Sequence, residues 1–223
     1  IVLQESGINN LYKFQEEAIE AILASQGLIK RGDVKDRIVI TARTAGGKTL
    51  AFLIPAVIVS AYRKICLGEK DGVKAILMYP TKALANDQLE EVSHLLYRLY
   101  LRGGDNTLLT FGILHGNTKH REELSGSQED ESLPMHCPIH KEMLKLSVTN
   151  ATAYCPSDPQ CQFASFINKA MRITRDDIYG KPPDILITDE DMINRILSGI
   201  PGKRPPFWFE WSIFGASYRR CES

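Results

Sequence analysis

The stretch that most limits what this chain can fold into is residues 38–55, IVITARTAGGKTLAFLIP. A β-branched run stops at a glycine pair, and an apolar segment follows Lys48 and Thr49. Ile38 to Ile40 is read as a buried strand, Ala45-Gly46-Gly47 as a turn whose backbone must approach something closely, and Lys48 onward as a helix. Such a junction gathers unpaired N–H groups and the positive end of a helix dipole at one point, which suits an anion. Lys48 adds a charge for the outer phosphates of a nucleotide, and the Thr49 hydroxyl is a ligand for the accompanying Mg2+.

The 223 residues suffice for one large α/β domain carrying an insert. Lys plus Arg and Asp plus Glu each number 27, so no global basic field announces a nucleic-acid partner, and any such contact must be local. The longest apolar stretch, Leu50 to Tyr62, falls short of the roughly 20 residues that span a bilayer. No membrane segment or secretion signal is expected, and the chain reads as cytoplasmic. It begins at Ile1 without a methionine and is expected to be a piece of a longer protein.

The loop departs from the usual template by placing Ala42 first, followed by Arg43-Thr44-Ala45-Gly46-Gly47-Lys48-Thr49. The form Ala-x-x-x-x-Gly-Lys-Thr, running on as Leu-Ala-Phe-Leu-Ile-Pro, resembles motif I of the DEAD/DEAH-box helicases of superfamily 2. Ahead of it, Leu11, Phe14, Ala18, Ile19 and Ile22 lie at helical spacing. Gln15 matches the glutamine with which that family reads adenine, so the resemblance implies ATP as ligand, held by Gln15, Arg43, Thr44, Ala45, Gly46, Gly47, Lys48 and Thr49. After the loop helix, Lys74 to Tyr79 reads as a strand, and Pro80-Thr81-Lys82-Ala83-Leu84 resembles motif Ia. Thr81 there caps a helix over 82–102 and leaves N–H groups near a phosphate oxygen. Leu108 to Leu114 reads as a third strand entering His115-Gly116-Asn117-Thr118, which resembles the glycine-containing loop leading to motif Ib. The resemblance implies a DNA or RNA backbone contact by Pro80, Thr81, Lys82, Gly116 and Asn117.

From about Leu124 to Arg172 the pattern breaks. Ser125 to Ser132 is polar and acidic and reads as a mobile surface segment. Cys137-x2-His140 and Cys155-x5-Cys161 then supply four Zn2+ ligands in two proline-tightened turns. Too few apolar residues surround them for a separate core, and a metal can substitute for one. Buried free thiols, a disulfide, and His136 in place of His140 are the alternatives. The domain reading is 1–124 with 173–223 as the main body, and 125–172 as the insert.

Pro182 to Thr188 is a further buried strand, followed by Asp189-Glu190-Asp191-Met192. A strand ending in Asp-Glu has the look of the acidic pair that holds Mg2+ and orients water in phosphoryl transfer. Yet Pro-Asp-Ile-Leu-Ile-Thr-x-x-x-Met resembles the stretch that precedes that motif, and Lys48 to Asp189 is a short interval once the insert is removed. Thr188 is therefore read as a nucleic-acid contact, with the acidic pair expected beyond Ser223. The Phe207-Trp208-Phe209-Glu210-Trp211 cluster is read as packing on the parent protein.

Alternating strands and helices imply a parallel sheet with helices on both faces and ligand loops at the strands' carboxyl ends. The resemblance sharpens this to a RecA-like domain with a small zinc-binding insert. It implies the ATP-binding part of a helicase whose second RecA-like domain lies in the same parent chain, the piece itself binding ATP without unwinding. The rivals are another P-loop NTPase, against which Gln15 and motif Ia stand, and a binding module that uses the loop as scaffold.

Overall fold

The computed structural model describes residues 10–32, 37–41, 47–126 and 129–198. They fall into two compact units, one of residues 1–69 with 95–108 and one of 70–94 with 109–223.

In the first unit, α1 (Lys13–Ser25) buries Gln15, Ala18, Ile19 and Ala24, and α2 (Lys48–Ala61) buries seven residues from Ala51 to Ser60. Extended by a π turn to Cys66, this helix is long and apolar enough to cross a membrane by length and composition. The burial of Leu53, Ile54 and Val57 is what an apolar core helix shows. Ile38 to Ile40 forms no strand, and Val39 is 87% exposed. The unit holds no other strand among its described residues, and a lone extended segment has no ladder to join.

The second unit is built on a parallel sheet flanked by helices. Its strands are β1 (Ala75–Tyr79), β2 (Phe111–Leu114), β6 (Met171–Arg172) and β7 (Ile185–Asp189), in the order β1-β7-β2-β6. All five residues of β7 are buried, as a central strand requires. Register aligns Tyr79 with Asp189 and Leu114 with Thr188, so three strands end level and their following loops emerge along one edge. Helix α3 (Lys82–Gly103) follows β1, α6 (Arg175–Gly180) precedes β7, and α7 (Glu190–Leu197) follows it. Val73, Leu114, Ile178, Leu186, Met192 and Ile196 form one cluster under these elements. At the opposite end, Lys74 Nζ meets Asp184 Oδ1 at 3.0 Å with both side chains 2% exposed, and Thr110 donates twice to Asp184 Oδ2.

Between α4 (Arg121–Ser125) and β6 the chain makes an antiparallel sheet, β3 (Glu131–His136), β4 (Met143–Ser147) and β5 (Thr152–Tyr154), then α5 (Gln162–Ala170). The segment read as mobile thus enters a strand by Glu131, and α5 is part of the main core. Phe166 stacks on Phe111 of β2 with ring centroids 6.3 Å apart, and Phe163 and Phe166 are 6.2 Å apart.

Candidate nucleotide, nucleic-acid and metal sites

On the nucleotide side, Gly47 stands at φ 72° immediately before α2 and brings no side chain to cap it. Its left-handed conformation favours glycine. A Cβ there would also lie 2.8 Å from Gln15 Nε2. Gln15 is 2% exposed, and its Nε2 donates to Gly47 O at 2.7 Å while its Oε1 accepts from Tyr12 N at 2.8 Å. The glutamine singled out in the sequence is thus bonded to the last residue of the loop. Lys48 and Thr49 open α2, and a helix start offers N–H groups and the positive end of its dipole to an anion. Arg43, Thr44, Ala45 and Gly46 lie outside the described residues, as do Ser223 and the Phe207–Trp211 cluster.

In the second unit the level strand ends gather most of the expected nucleic-acid contacts. Pro80 and Thr81 are exposed, and Thr81 Oγ1 accepts from Leu84 N at 3.3 Å as a cap of α3. Lys82 Nζ donates to Asn117 Oδ1 at 3.3 Å, and a Cβ on Gly116 would come within 2.8 Å of that ammonium. Gly116, Asn117, Thr118, Lys119, His120, Glu123 and Arg175 line an open cleft of about 640 Å³. Thr188 departs from its expected role. It is fully buried, and its Oγ1 donates to Leu114 O at 2.7 Å, so the hydroxyl ties β7 to β2 from beneath the loops. Asp189 Oδ1 accepts from Met192 N at 2.8 Å as N-cap of α7, while Glu190 is exposed. This is a helix-start use of an Asp-Glu pair.

Arg175 was missed as a functional candidate. Its Nη2 donates to His115 O at 3.0 Å and Gly116 O at 3.3 Å, and its Nε donates to Thr118 O at 2.5 Å. One guanidinium therefore shapes the whole 115–118 turn from a residue far along the chain. The available signal was Thr174-x-x-Asp177, a capping box that starts α6 and puts Arg175 in its first turn. Beside it, Asp176 Oδ2 accepts from Arg121 N at 2.7 Å and Arg121 Nη2 meets Asp177 Oδ1 at 2.5 Å. The two ends of the insert are thereby held together.

The four expected metal ligands converge. Cys137, Cys155, Cys161 and His140 place their ligand atoms within 4.8 Å of one another. Cys137 Sγ lies 3.6 Å from both His140 Nδ1 and Cys161 Sγ, and Cys155 Sγ lies 3.4 Å from His140 Nδ1. A tetrahedral Zn2+ with ordinary bond lengths needs S···S near ~3.8 Å and S···N near ~3.6 Å. The donor set and spacing fit such an ion. Lys141 closes the first turn at φ 63°, and Cys161 is the N-cap of α5. His136 Nδ1 lies 3.2 Å from Glu90 Oε2, and the histidine that converges with the three cysteines is His140. Burial pushes the Cys161 thiol up, against the N–H groups of Ala164 and Phe163.

A family model described as DEAD/DEAH box helicase matches residues 12–128. The chain belongs to that family. Druantia protein DruE of Escherichia coli is 32% identical over 127 residues, 54% of this chain and 6% of the relative. The ATP-dependent RNA helicase DDX51 of Danio rerio is 40% identical over 87 residues, 37% of this chain and 13% of its own. DDX51 of Mus musculus is 32% identical over 135 residues, 59% of this chain and 18% of the relative. The chain therefore spans less than a fifth of each of these proteins. As a DEAD/DEAH-box domain it falls in a family that works with ATP and Mg2+ on nucleic acid, and the matched region includes Gln15, Gly47, Lys82 and Gly116.

Proposed function

We propose that this chain is the first ATP-binding domain of an ATP-dependent nucleic-acid helicase, completed by a second RecA-like domain of the same parent chain. ATP is held by Gln15, Arg43, Thr44, Ala45, Gly46, Gly47, Lys48 and Thr49, with Mg2+ on Thr49. Nucleic acid lies along Pro80, Thr81, Lys82, Gly116 and Asn117, and RNA is favoured by the names of the DDX51 relatives. The observation that supports the reading is the Gln15 Nε2 to Gly47 O bond, because it joins the glutamine that the family resemblance assigns to adenine to the residue just before Lys48 and Thr49. Asp189 Oδ1 caps α7 while Oδ2 is buried without a hydrogen-bond partner among the described residues, and the likeness of residues 182–192 to the stretch ahead of the acidic motif supports placing the water-orienting pair elsewhere in the longer protein. Residues 125–172 form an insert whose Cys137, His140, Cys155 and Cys161 hold a structural Zn2+, which supplies no step of the ATP chemistry and fixes two turns.

The test is binding of fluorescent ATP and GTP analogues. Wild type should prefer the adenine nucleotide, Lys48→Ala should lose both, and Gln15→Ala should lose the preference. Equal binding of both nucleotides by wild type would sink the adenine assignment.

A further inference from the structure

His115 sits at the end of β2 with 6% of its surface exposed, between two segments assigned above to nucleic acid. Its Nδ1 lies 3.2 Å from Asn117 N, and a backbone N–H can only donate, so Nδ1 must be an unprotonated acceptor. Its Nε2 lies 3.1 Å from Asn86 Oδ1 on α3 and carries the ring's one proton. The neutral ring thus joins α3, which begins at Lys82, to the Gly116-Asn117 turn, and both nitrogens are used. A second proton would have to enter at Nδ1, where it would face the Asn117 N–H. The nearest acceptor is Thr118 Oγ1 at 3.3 Å, which already accepts from His115 N and donates to Ile113 O. Turning toward that oxygen would free the Asn117 N–H and release one of the bonds that shape the turn, leaving the Thr118 N to His115 O bond and the Arg175 contacts.

We propose that His115 is a positioning residue for the nucleic-acid loop, active only as the neutral Nε2–H imidazole, so that acid releases the grip. The proposal rests on the reading of Gly116 and Asn117 as nucleic-acid contacts. The charged groups facing the ring are Asp189 at the end of β7, Lys82 at the start of α3 and Arg175 at the start of α6. Burial holds the imidazole below its ordinary range, Asp189 opposes this, and Lys82 and Arg175 reinforce it. A depressed histidine contributes fully above its unfolded pKa of about 6.5 and is lost as pH falls through the lower folded value. The turn is therefore intact at neutral pH.

Two readouts on the whole chain test this. Without nucleic acid, the ¹⁵N shifts of His115 should show the Nε2–H tautomer at neutral pH, and the Asn117 amide should move with the ring's titration. With labelled oligouridylate and oligothymidylate, wild-type affinity should fall as pH drops through the ring titration that the ¹⁵N shifts report. His115→Asn, which keeps an acceptor near the Nδ1 position and cannot titrate, should lose that dependence, and His115→Ala should bind weakly throughout. An Nδ1–H tautomer, or the same pH slope in His115→Asn as in wild type, overturns the proposal. If the titration follows expectation but neither oligonucleotide binds at any pH, the nucleic-acid reading and the grip built on it both fall.

Discussion

Arg175 gives its guanidinium to three backbone carbonyls of one turn, a geometry that a point-charge ammonium cannot reproduce. Arg175→Ala should lower oligonucleotide affinity about tenfold, or ~1.4 kcal/mol, with ATP binding unchanged in a parallel titration. Arg175→Lys should recover little of it. The Lys74–Asp184 pair is a different kind of residue effect, because both charges are buried and Thr110 completes the carboxylate. Asp184→Ala strands an ammonium in the core and should cost about 3–5 kcal/mol in urea unfolding. Replacing both partners with apolar residues should cost much less. Equal losses in the single and double variants would show that the pair's value is packing and not charge.

The β3-β4-β5 sheet buries Leu133, Met135, Leu144, Leu146 and Ala153, and the proposed metal turns follow β3 and β5. Cobalt loaded in place of zinc should give the intense visible absorption of a tetrahedral thiolate site at one ion per chain, and Cys155→Ser should diminish it. Chelation should melt this sheet before the parallel one. Much of this was legible in the sequence, for reasons that differ by element. The helix that follows Gly47 and the strand at Ile185 show in apolar runs, and the spacing of the cysteine and histidine pairs picks out the four side chains that converge. The insert's strands were hidden because β3 starts in an acidic run and contains Pro134, so no alternating pattern announces it. Leu84 begins the apolar stripe of α3 yet is 38% exposed, because periodicity fixes a stripe but not which neighbour covers each end. Arg175 and His115 escaped because their distant partners, the carbonyls of the 115–118 turn for Arg175 and Asn86 of α3 for His115, are brought to them only by the fold.

Holding phosphates does not by itself break them. This chain should bind ATP but turn it over slowly and leave a duplex intact, since the acidic pair and the second domain are both proposed to lie elsewhere in the parent protein. Rapid nucleic-acid-stimulated hydrolysis by these 223 residues, abolished by Glu190→Gln, would move the water-orienting role back to Glu190. A last consequence comes from α5. Its cap, Cys161, is a proposed metal ligand, and its final residue, Ala170, passes straight into β6, which pairs with β2. Nine helical residues make a strut of about 13 Å without a hinge. The metal turn and the sheet edge are then two ends of one rod, and a mechanical load applied at either should be felt at the other.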